Sequence, residues 1–203
     1  PKYWNKGKFY LSNKDKVLKK LIQTNKNEYL NLNSNYFHSL INSIIGQQIS
    51  VSAADSMKTK FFKLKRNITP QTVSKLRTID LRKCGLSRQK IKYLKSLATA
   101  FVNKDLQILR SKTATDKEII DKLIEVNGIG KWTAQMFLIF NLCRPDVFPV
   151  DDLGLIKGIC VCYNLKYPIS KEDAIKRSQK WKPWRSVATW YFWRSLDPIP
   201  VEY

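Results

Sequence analysis

The sequence predicts an all-α protein of about nine to eleven helices. Apolar residues recur at intervals of three and four along most of the chain, as at Ile91, Leu94, Leu97, Ala98 and Phe101. Residues with helix-capping side chains stand at the start of several such segments, and no segment shows the alternation of apolar and polar residues typical of a strand. Together these observations favour helices packed around a common core.

The first half of the chain gives three helical signals in order. Residues 17–22 form a first short apolar face, and residues 36–64 read as a long helical stretch with a break near Gly46. Thr69 is a favourable N-cap, and Pro70 follows at the first helical position, where its missing N–H costs nothing.

The second half continues the pattern. Thr115 and Glu118 have capping-box spacing ahead of an apolar face, and residues 170–173 resemble a second box. Residues 132–142 are apolar almost all round, which predicts a central buried helix. Residues 183–196 predict a final helix rich in aromatic side chains.

Composition indicates a folded protein with a polyanionic partner. The chain has 203 residues, 43% of them hydrophobic, which suffices for one compact domain or two small lobes. Lysine and arginine number 37 against 16 acidic residues, a formal net charge of +21. Nucleic acid is the first candidate partner, and a ribosomal surface or an anionic membrane is the alternative.

Several classes of protein lack support. No apolar run is long enough for a transmembrane helix, and residues 1–4 do not begin like a signal peptide. The four cysteines form no Cys-x-x-Cys pair, and a single histidine, His38, gives no zinc pattern. We therefore expect a cytoplasmic protein with free thiols, in which His38 has a packing role.

The most informative segment joins two predicted helices at residues 125–134. Gly128 and Gly130 flank Ile129, which lets the backbone turn tightly and approach a ligand. The N–H groups at the start of the following helix can hold a phosphate. An ordinary glycine C-cap would explain a Gly-x-Gly of this kind if it stood alone.

Four segments together resemble one family. Residues 128–134 resemble the hairpin of the helix-hairpin-helix DNA glycosylases, and residues 147–154 resemble the loop that carries their catalytic aspartate. Residues 43–50 are similar to the family's Gln-Gln segment, and residues 181–186 to a block of its alkylation-specific, 3-methyladenine DNA glycosylase II branch. The four stand in the family's order and cover most of the chain.

The resemblance implies two helical lobes flanking a cleft. We expect residues 34–150 to form the lobe that carries the helix-hairpin-helix, and residues 1–33 with 151–203 to form the second lobe. The hairpin and Asp152 would then face the cleft. An N-terminal sheet domain, which larger bacterial relatives add, is not expected in these residues.

The resemblance assigns catalysis to Asp152, which directly precedes an apolar residue and Gly154. Its neighbour Asp151 stands where relatives vary. A carboxylate suits cleavage of an N-glycosidic bond, because positive charge builds on the sugar in the transition state. Helix N-capping is the structural alternative for either aspartate, and Asp152 can serve in both ways.

The resemblance also implies an aromatic pocket for the flipped base. Trp132 and Trp193 match residues that line it, and Met136 stands one turn after Trp132, where relatives often have tyrosine. Aromatic rings suit an electron-poor, cationic alkylated base through stacking and cation–π attraction. Core packing is the alternative for tryptophan, and we expect it for about three of the six.

Trp132 also bears on the type of reaction. Bifunctional relatives place a lysine at this position to form a Schiff base with the sugar, whereas here Lys131 comes one residue early. We therefore expect a monofunctional enzyme without lyase activity. No cysteine follows Cys162, so the iron–sulfur cluster of some relatives is not expected.

The remaining assignments concern DNA contacts and an ion. The resemblance implies that Gln48 enters the duplex and that Arg88 or Leu86 acts as a wedge, although Arg88 is equally explained as a solvated charge. The hairpin residues expected to bind the DNA backbone are Gly128, Ile129, Gly130, Lys131 and Thr133. The backbone carbonyls expected to hold a Na⁺ or K⁺ ion belong to Ile124, Val126 and Ile129.

The sequence thus predicts a glycosylase that flips alkylated bases out of damaged double-stranded DNA and hydrolyses the bond. We expect a monomer without a membrane or nucleotide-cofactor partner. The rival interpretations are a glycosylase for uracil or for deaminated or oxidised purines, and a non-catalytic hairpin protein that only binds DNA. The aspartate loop argues against the second.

Overall fold

The computed structural model describes residues 1–197, and within them every regular element is a helix. The all-α prediction is confirmed. The twelve α-helices are α1 (Trp4–Lys14), α2 (Lys16–Thr24), α3 (Tyr36–Gly46), α4 (Val51–Phe62), α5 (Pro70–Lys75), α6 (Thr78–Lys83), α7 (Arg88–Val102), α8 (Asp116–Ile124), α9 (Lys131–Phe140), α10 (Leu153–Cys162), α11 (Lys171–Ser178) and α12 (Arg185–Arg194). Two short 3₁₀ helices span Gln107–Arg110 and Gln179–Trp181.

The number of α-helices exceeds the expected nine to eleven because the chain breaks more often than its apolar pattern shows. The stretch 36–64 divides where Gln48 adopts a positive φ of 59° and Ser50 caps α4 by accepting from the Ala53 amide at 3.3 Å. Helix α1 was not predicted, because its core-facing side includes Gly7, which gives no apolar signal.

The predicted caps are present. Thr69 and Thr72 form a reciprocal capping box with Pro70 in the first turn, and Thr115 and Glu118 form another. Ser170 caps α11 by accepting from the Asp173 amide at 3.0 Å. Each cap satisfies a donor at the helix start that has no intrahelical acceptor.

The described chain divides into two compact units. We call residues 33–137 the central unit, and residues 1–32 with 138–197 the terminal unit. The sequence-based boundary after residue 150 is therefore corrected, since residues 138–150 group with the terminal segments. The Arg185 guanidinium binds the Asp146 carboxylate at 2.7 and 2.9 Å, and the Ser186 hydroxyl accepts from the Val147 amide at 2.9 Å, which ties this loop to α12.

The central unit is built around α7, which packs against α3 and α5. Its interior contains aliphatic side chains that are completely buried, namely Ile41, Ile44, Ile45, Val73, Leu94 and Leu97. His38 packs at its edge, where Nε2 donates to the Ile68 carbonyl at 2.7 Å, in agreement with a packing role.

The terminal unit packs α12 against α1, α2 and α10. Gly158 of α10 allows close approach, since a Cβ there would lie 2.6 Å from the carbonyl oxygen of Phe192. Below this contact Asp15 is buried between α1 and α2, where it accepts from the indole of Trp181 at 2.8 Å and from the hydroxyl of Tyr163. This packing holds the loop before α10 and the end of α12 within one unit.

Candidate functional site

Asp152 is the N-cap of α10. Its backbone is extended, with φ −79° and ψ 113°, and its Oδ1 atom accepts from the Leu155 amide at 2.6 Å. The residue is 9% exposed. A carboxylate here is held at the positive end of a helix dipole, in a defined orientation and largely shielded from water.

Trp193 holds the same carboxylate oxygen from a second direction. Its indole Nε1–H donates to Asp152 Oδ1 at 2.9 Å, across 41 positions of sequence. The indole stacks on Phe140, with ring centroids 5.9 Å apart and planes inclined by 11°. The terminal unit thus assembles the aspartate, the tryptophan and a supporting ring from α9, α10 and α12.

Gly154 leaves room for this arrangement. A Cβ at this position would lie 3.2 Å from Asp152 Oδ1 and 3.6 Å from Trp193 Cδ1. The first distance is tighter than ordinary van der Waals contact, so a side chain would press on the carboxylate. The glycine after the aspartate is therefore explained by space beside the carboxylate.

Asp151 points elsewhere. It is exposed and forms a salt bridge with Lys171 at the surface of α11. The carboxylate raises the pKa of the Lys171 ammonium through their hydrogen bond. Of the two aspartates, Asp152 is the buried one, it accepts from the Leu155 amide and the Trp193 indole, and it also provides the helix cap considered as the alternative.

The hairpin of the central unit depends on Gly128. Its φ is +92°, and a Cβ there would lie 2.2 Å from the ring of Tyr93, so no other residue fits without a shift. The Gln47 amide Nε2 donates to the Gly128 carbonyl at 2.8 Å, and the Ile129 amide donates to the Val126 carbonyl at 3.0 Å. These contacts position the turn that leads into α9.

The predicted backbone-binding residues differ in what they expose. Gly130 and Lys131 are exposed at the start of α9, whereas Ile129 and Thr133 are only 5% and 4% exposed. Ile129 and Thr133 therefore offer little surface to DNA. The hairpin can hold a phosphate through main-chain amides, with the Lys131 ammonium beside them.

The predicted pocket residues divide in the same way. Trp132 is 36% exposed on the first turn of α9. Met136 is 1% exposed, so its side chain offers almost no surface to solvent. One turn further into an almost fully apolar helix, its side chain packs in the interior.

The predicted wedge residues differ in exposure. Leu86 is 3% exposed and packs in the core. Arg88, at the start of α7, and Gln48 are exposed. Lys90 points inward, where its Nζ donates to the Ile45 carbonyl at 2.6 Å and burial lowers the pKa of its ammonium.

A family model described as "HhH-GPD superfamily base excision DNA repair protein" matches residues 41–183. The chain belongs to this family. The match runs through the Gln-Gln segment, the hairpin and the aspartate loop, and includes both Asp152 and the hairpin glycines.

Named HhH-GPD relatives resemble nearly the whole chain. DNA-3-methyladenine glycosylase 1 of Schizosaccharomyces pombe is 31% identical, over 94% of this chain and 86% of its own length. DNA-3-methyladenine glycosylase of Saccharomyces cerevisiae is 33% identical, over 78% of this chain and 66% of its own length. A putative 3-methyladenine glycosylase of Bacillus subtilis is 30% identical, and the match covers 61% of its length.

Solved HhH-GPD structures agree. The S. pombe 3-methyladenine DNA glycosylase in complex with abasic DNA matches with a TM-score of 0.80 and 30% identity, over 94% of this chain and 96% of the other. A DNA-3-methyladenine glycosidase from Bacillus halodurans also gives 0.80, with 29% identity over 92% of this chain and 86% of the other. Structures of 8-oxoguanine glycosylase/lyase from Clostridium acetobutylicum, at 17% identity, share the fold alone.

Four residues that support the hairpin or the Asp152 cluster, each within its own unit, were not assigned from sequence. Phe140 supports the Trp193 ring, Gln47 and Tyr93 hold the hairpin at Gly128, and Lys90 holds the end of α3. The Gln-Gln segment carried a signal for Gln47, but only its neighbour Gln48 was given a role. The other three look like ordinary core or surface residues.

The predictions on tryptophan and cysteine can be compared directly with the structure. Trp4, Trp181 and Trp190 are at most 3% exposed, so three of the six are core residues as expected. All four cysteines are free thiols, of which Cys84 and Cys160 are buried. Within residues 1–197 no helix is long and apolar enough to cross a membrane, and no cluster of His, Cys, Asp or Glu side chains could hold a metal ion.

Proposed function

We propose that this protein is a monofunctional DNA glycosylase that flips alkylated bases, of the 3-methyladenine and 7-methylguanine type, out of duplex DNA and excises them by hydrolysis. The observation that carries the proposal is the Asp152 carboxylate, held by the Leu155 amide and the Trp193 indole at the start of α10. The named relatives support the substrate class.

The chemistry follows from the charge that develops during cleavage. As the N-glycosidic bond lengthens, the sugar acquires positive charge, and a carboxylate held in place stabilises that charge without having to reorient. An alkylated purine such as 3-methyladenine already carries positive charge and leaves without a strong acid. Water then attacks the sugar, and the DNA strand is left intact with an abasic site.

The absence of lyase activity is part of the proposal. The position of the family's Schiff-base lysine is Trp132, and the adjacent Lys131 is exposed at the hairpin, where it suits a phosphate. An amine that does not face the sugar cannot form the covalent intermediate required for strand cleavage. We also propose that no iron–sulfur cluster or nucleotide cofactor takes part.

The hairpin would hold the DNA backbone while the damaged base is out of the stack. Gln48 and Arg88 are exposed and are the candidates to fill the gap in the duplex. Trp132 and Trp193 are the candidates to contact the flipped base. The carbonyls predicted to bind Na⁺ or K⁺ fit such an ion in part, because the Val126 oxygen accepts one hydrogen bond and retains a second lone pair. We propose a monomer that acts on damaged DNA in the cytoplasm.

The experiment is base release from methylated duplex DNA, with free bases separated by chromatography. Release of 3-methyladenine or 7-methylguanine, with abasic strands that are cut only after alkali and are not trapped by borohydride, supports the proposal. Duplexes with uracil, hypoxanthine or 8-oxoguanine test the rival substrates in parallel. Binding without release from any lesion would leave only a DNA-binding role, and borohydride trapping would disprove the monofunctional assignment.

A further inference from the structure

The first 32 residues carry positive charge that the site described above does not use. This segment contains eight lysines and no arginine, against two acidic residues, Asp15 and Glu28. The lysines are Lys2, Lys6, Lys8, Lys14, Lys16, Lys19, Lys20 and Lys26, and all but the half-buried Lys8 are exposed. Six of these lysines lie on α1 and α2, which pack together in the terminal unit, whereas Lys2 and Lys26 lie outside the two helices.

Both acidic residues of the segment are neutralised by partners from elsewhere in the chain. The buried Asp15 carboxylate accepts from Lys180 and from Trp181, both at 2.8 Å. Glu28 forms a bidentate ion pair with Arg194, with one contact of 2.7 Å. Neither carboxylate is left to offset the lysines, so the outward field of α1 and α2 is positive.

The lysines of α2 lie on one face of the helix. Lys16, Lys19 and Lys20 have i, i+3 and i+4 spacing, which puts them side by side. The opposite face carries Leu18 and Ile22, which are buried. The lysines of α2 therefore point to solvent, because the apolar residues on the opposite side pack the helix onto the terminal unit.

Helix α1 adds two exposed lysines. Lys6 lies on the side away from the buried Leu11, next to Phe9, which is 73% exposed, and Lys14 is exposed at the end of the helix. Only Asp15 separates the end of α1 from the start of α2, so the two sets of lysines belong to one helical hairpin. We call the exposed lysines of α1 and α2, Lys6, Lys14, Lys16, Lys19 and Lys20, the N-terminal lysine face.

We propose that the N-terminal lysine face is a second DNA-binding surface, which holds the phosphate backbone of duplex DNA without reading its sequence. The inference rests on the proposed glycosylase function for the identity of the polyanion. Lysine suits this role, because its ammonium is a flexible point charge that binds phosphate, and the segment holds no arginine, whose planar fork forms the bidentate contacts. Its contribution would be to non-specific binding, by which a repair enzyme stays on undamaged DNA between lesions.

The test compares two triple variants of the full chain. One carries Lys16→Gln, Lys19→Gln and Lys20→Gln, and the other carries Lys112→Gln, Lys166→Gln and Lys176→Gln. Both lose three exposed charges, but the second set is scattered over other elements. Affinity for an undamaged 30-base-pair duplex is measured by fluorescence anisotropy at a series of salt concentrations.

We expect the first variant to reduce the slope of log affinity against log salt by about 2 to 3, since each lost phosphate contact removes about 0.9. The scattered variant should keep a slope closer to that of the wild type. Equal losses in the two variants would mean that only the net charge matters, and an unchanged slope in the first would mean that its lysines do not contact DNA. Either result overturns the proposal.

Two further measurements separate this inference from its rivals and from the glycosylase proposal. Phosphatidylserine–phosphatidylcholine vesicles test a membrane role. Vesicle binding that depends on Lys16, Lys19 and Lys20, with an unchanged DNA slope, would assign the face to a lipid surface instead. Release of 3-methyladenine from methylated duplex is measured in parallel for the wild type and both triple variants. A slope that falls in the first variant while even the wild type releases no alkylated base would retain the second surface and reject the glycosylase.

Discussion

The indole N–H of Trp193 and the backbone amide of Leu155 both donate to one oxygen of Asp152, at 2.9 and 2.6 Å. One donor comes from α10 itself and the other from α12, and these two helices pack against each other in the terminal unit. The orientation of the carboxylate is thereby determined by tertiary structure, and Trp193 has a role towards Asp152 besides any contact with a base.

Trp193→Phe should slow base release while leaving DNA binding nearly intact. Phenylalanine can still stack on Phe140 but has no N–H to donate to Asp152. A hydrogen bond to a charged group contributes about 1.5–3 kcal/mol, which corresponds to a loss of about tenfold to hundredfold in the single-turnover rate. Trp184→Phe is the control, because Trp184 stacks on Tyr3 in the same unit. A rate equal to that of the control would remove Trp193 from the positioning of Asp152.

Gly154→Ala should reduce base release without reducing stability. The new methyl group would lie 3.2 Å from Asp152 Oδ1 and displace the carboxylate by a few tenths of an ångström, and we expect about a tenfold slower rate. Alanine favours helix over glycine by up to about 1 kcal/mol, so the melting temperature should hold or rise.

Gly158→Ala, on the same helix, is the matched comparison. Its methyl group would lie 2.6 Å from the Phe192 carbonyl oxygen, so the melting temperature should fall. The rate of base release by the protein that remains folded should not change. Gly154→Ala with an unchanged rate and a lower melting temperature would contradict our explanation of this glycine.

Gly128→Ala should destabilise the central unit and weaken binding to abasic DNA. Alanine would be strained at φ +92°, and its methyl group would overlap the Tyr93 ring. We expect a loss of at least about 2 kcal/mol in the free energy of unfolding, measured with urea. Gly130→Ala has no atom within 4 Å of the added methyl group and should change stability by less than about 0.5 kcal/mol. Equal effects would show that the turn does not depend on Gly128.

Asp15 should make the stability of the protein depend on pH in the acid range. Burial acts to raise the pKa of its carboxyl, but hydrogen bonds from Lys180, Tyr163 and Trp181 outweigh it, so the pKa in the folded state is lowered. The resulting stabilisation is complete above the unfolded pKa of about 3.9 and is lost as the pH falls through the lower folded value.

Asp15→Asn should therefore cost about 2 kcal/mol at pH 7, and its difference from the wild type should shrink below about pH 4. Urea unfolding at pH 7, 5, 4 and 3 measures this difference. Asp55→Asn, at an exposed pair with Lys58, should have little effect at any of these pH values. A difference between Asp15→Asn and the wild type that stays constant down to pH 3 would show that the charge of Asp15 does not stabilise the fold.

Local signals were sufficient for much of the fold. The capping boxes at Thr69 and Thr115 and the apolar spacing of α7 each depend on residues within a few positions of one another, and the structure confirms them. The break at Gln48 was placed only approximately, because a positive φ at glutamine has no signature in the sequence.

The site was predictable only where its residues are neighbours in sequence. Asp152 stands in a short loop motif, whereas its partner Trp193 lies 41 positions away, and the hydrogen bond between them arises from the packing of α10 on α12. The burial of Leu86 and Met136 could not be predicted for the same reason, since a residue in a loop motif or on a helix can face inward or outward, and only the packed structure shows which.

The central claim is that Asp152 performs the chemistry, and its most direct test compares Asp152→Asn with Asp151→Asn. Single-turnover release of 3-methyladenine from methylated duplex is measured for both, together with binding to abasic-site DNA. We predict that Asp152→Asn binds abasic DNA but releases base at least about a hundredfold more slowly, while Asp151→Asn, whose carboxylate forms a surface pair with Lys171, stays near the wild-type rate. Release by Asp152→Asn at the wild-type rate would contradict the account.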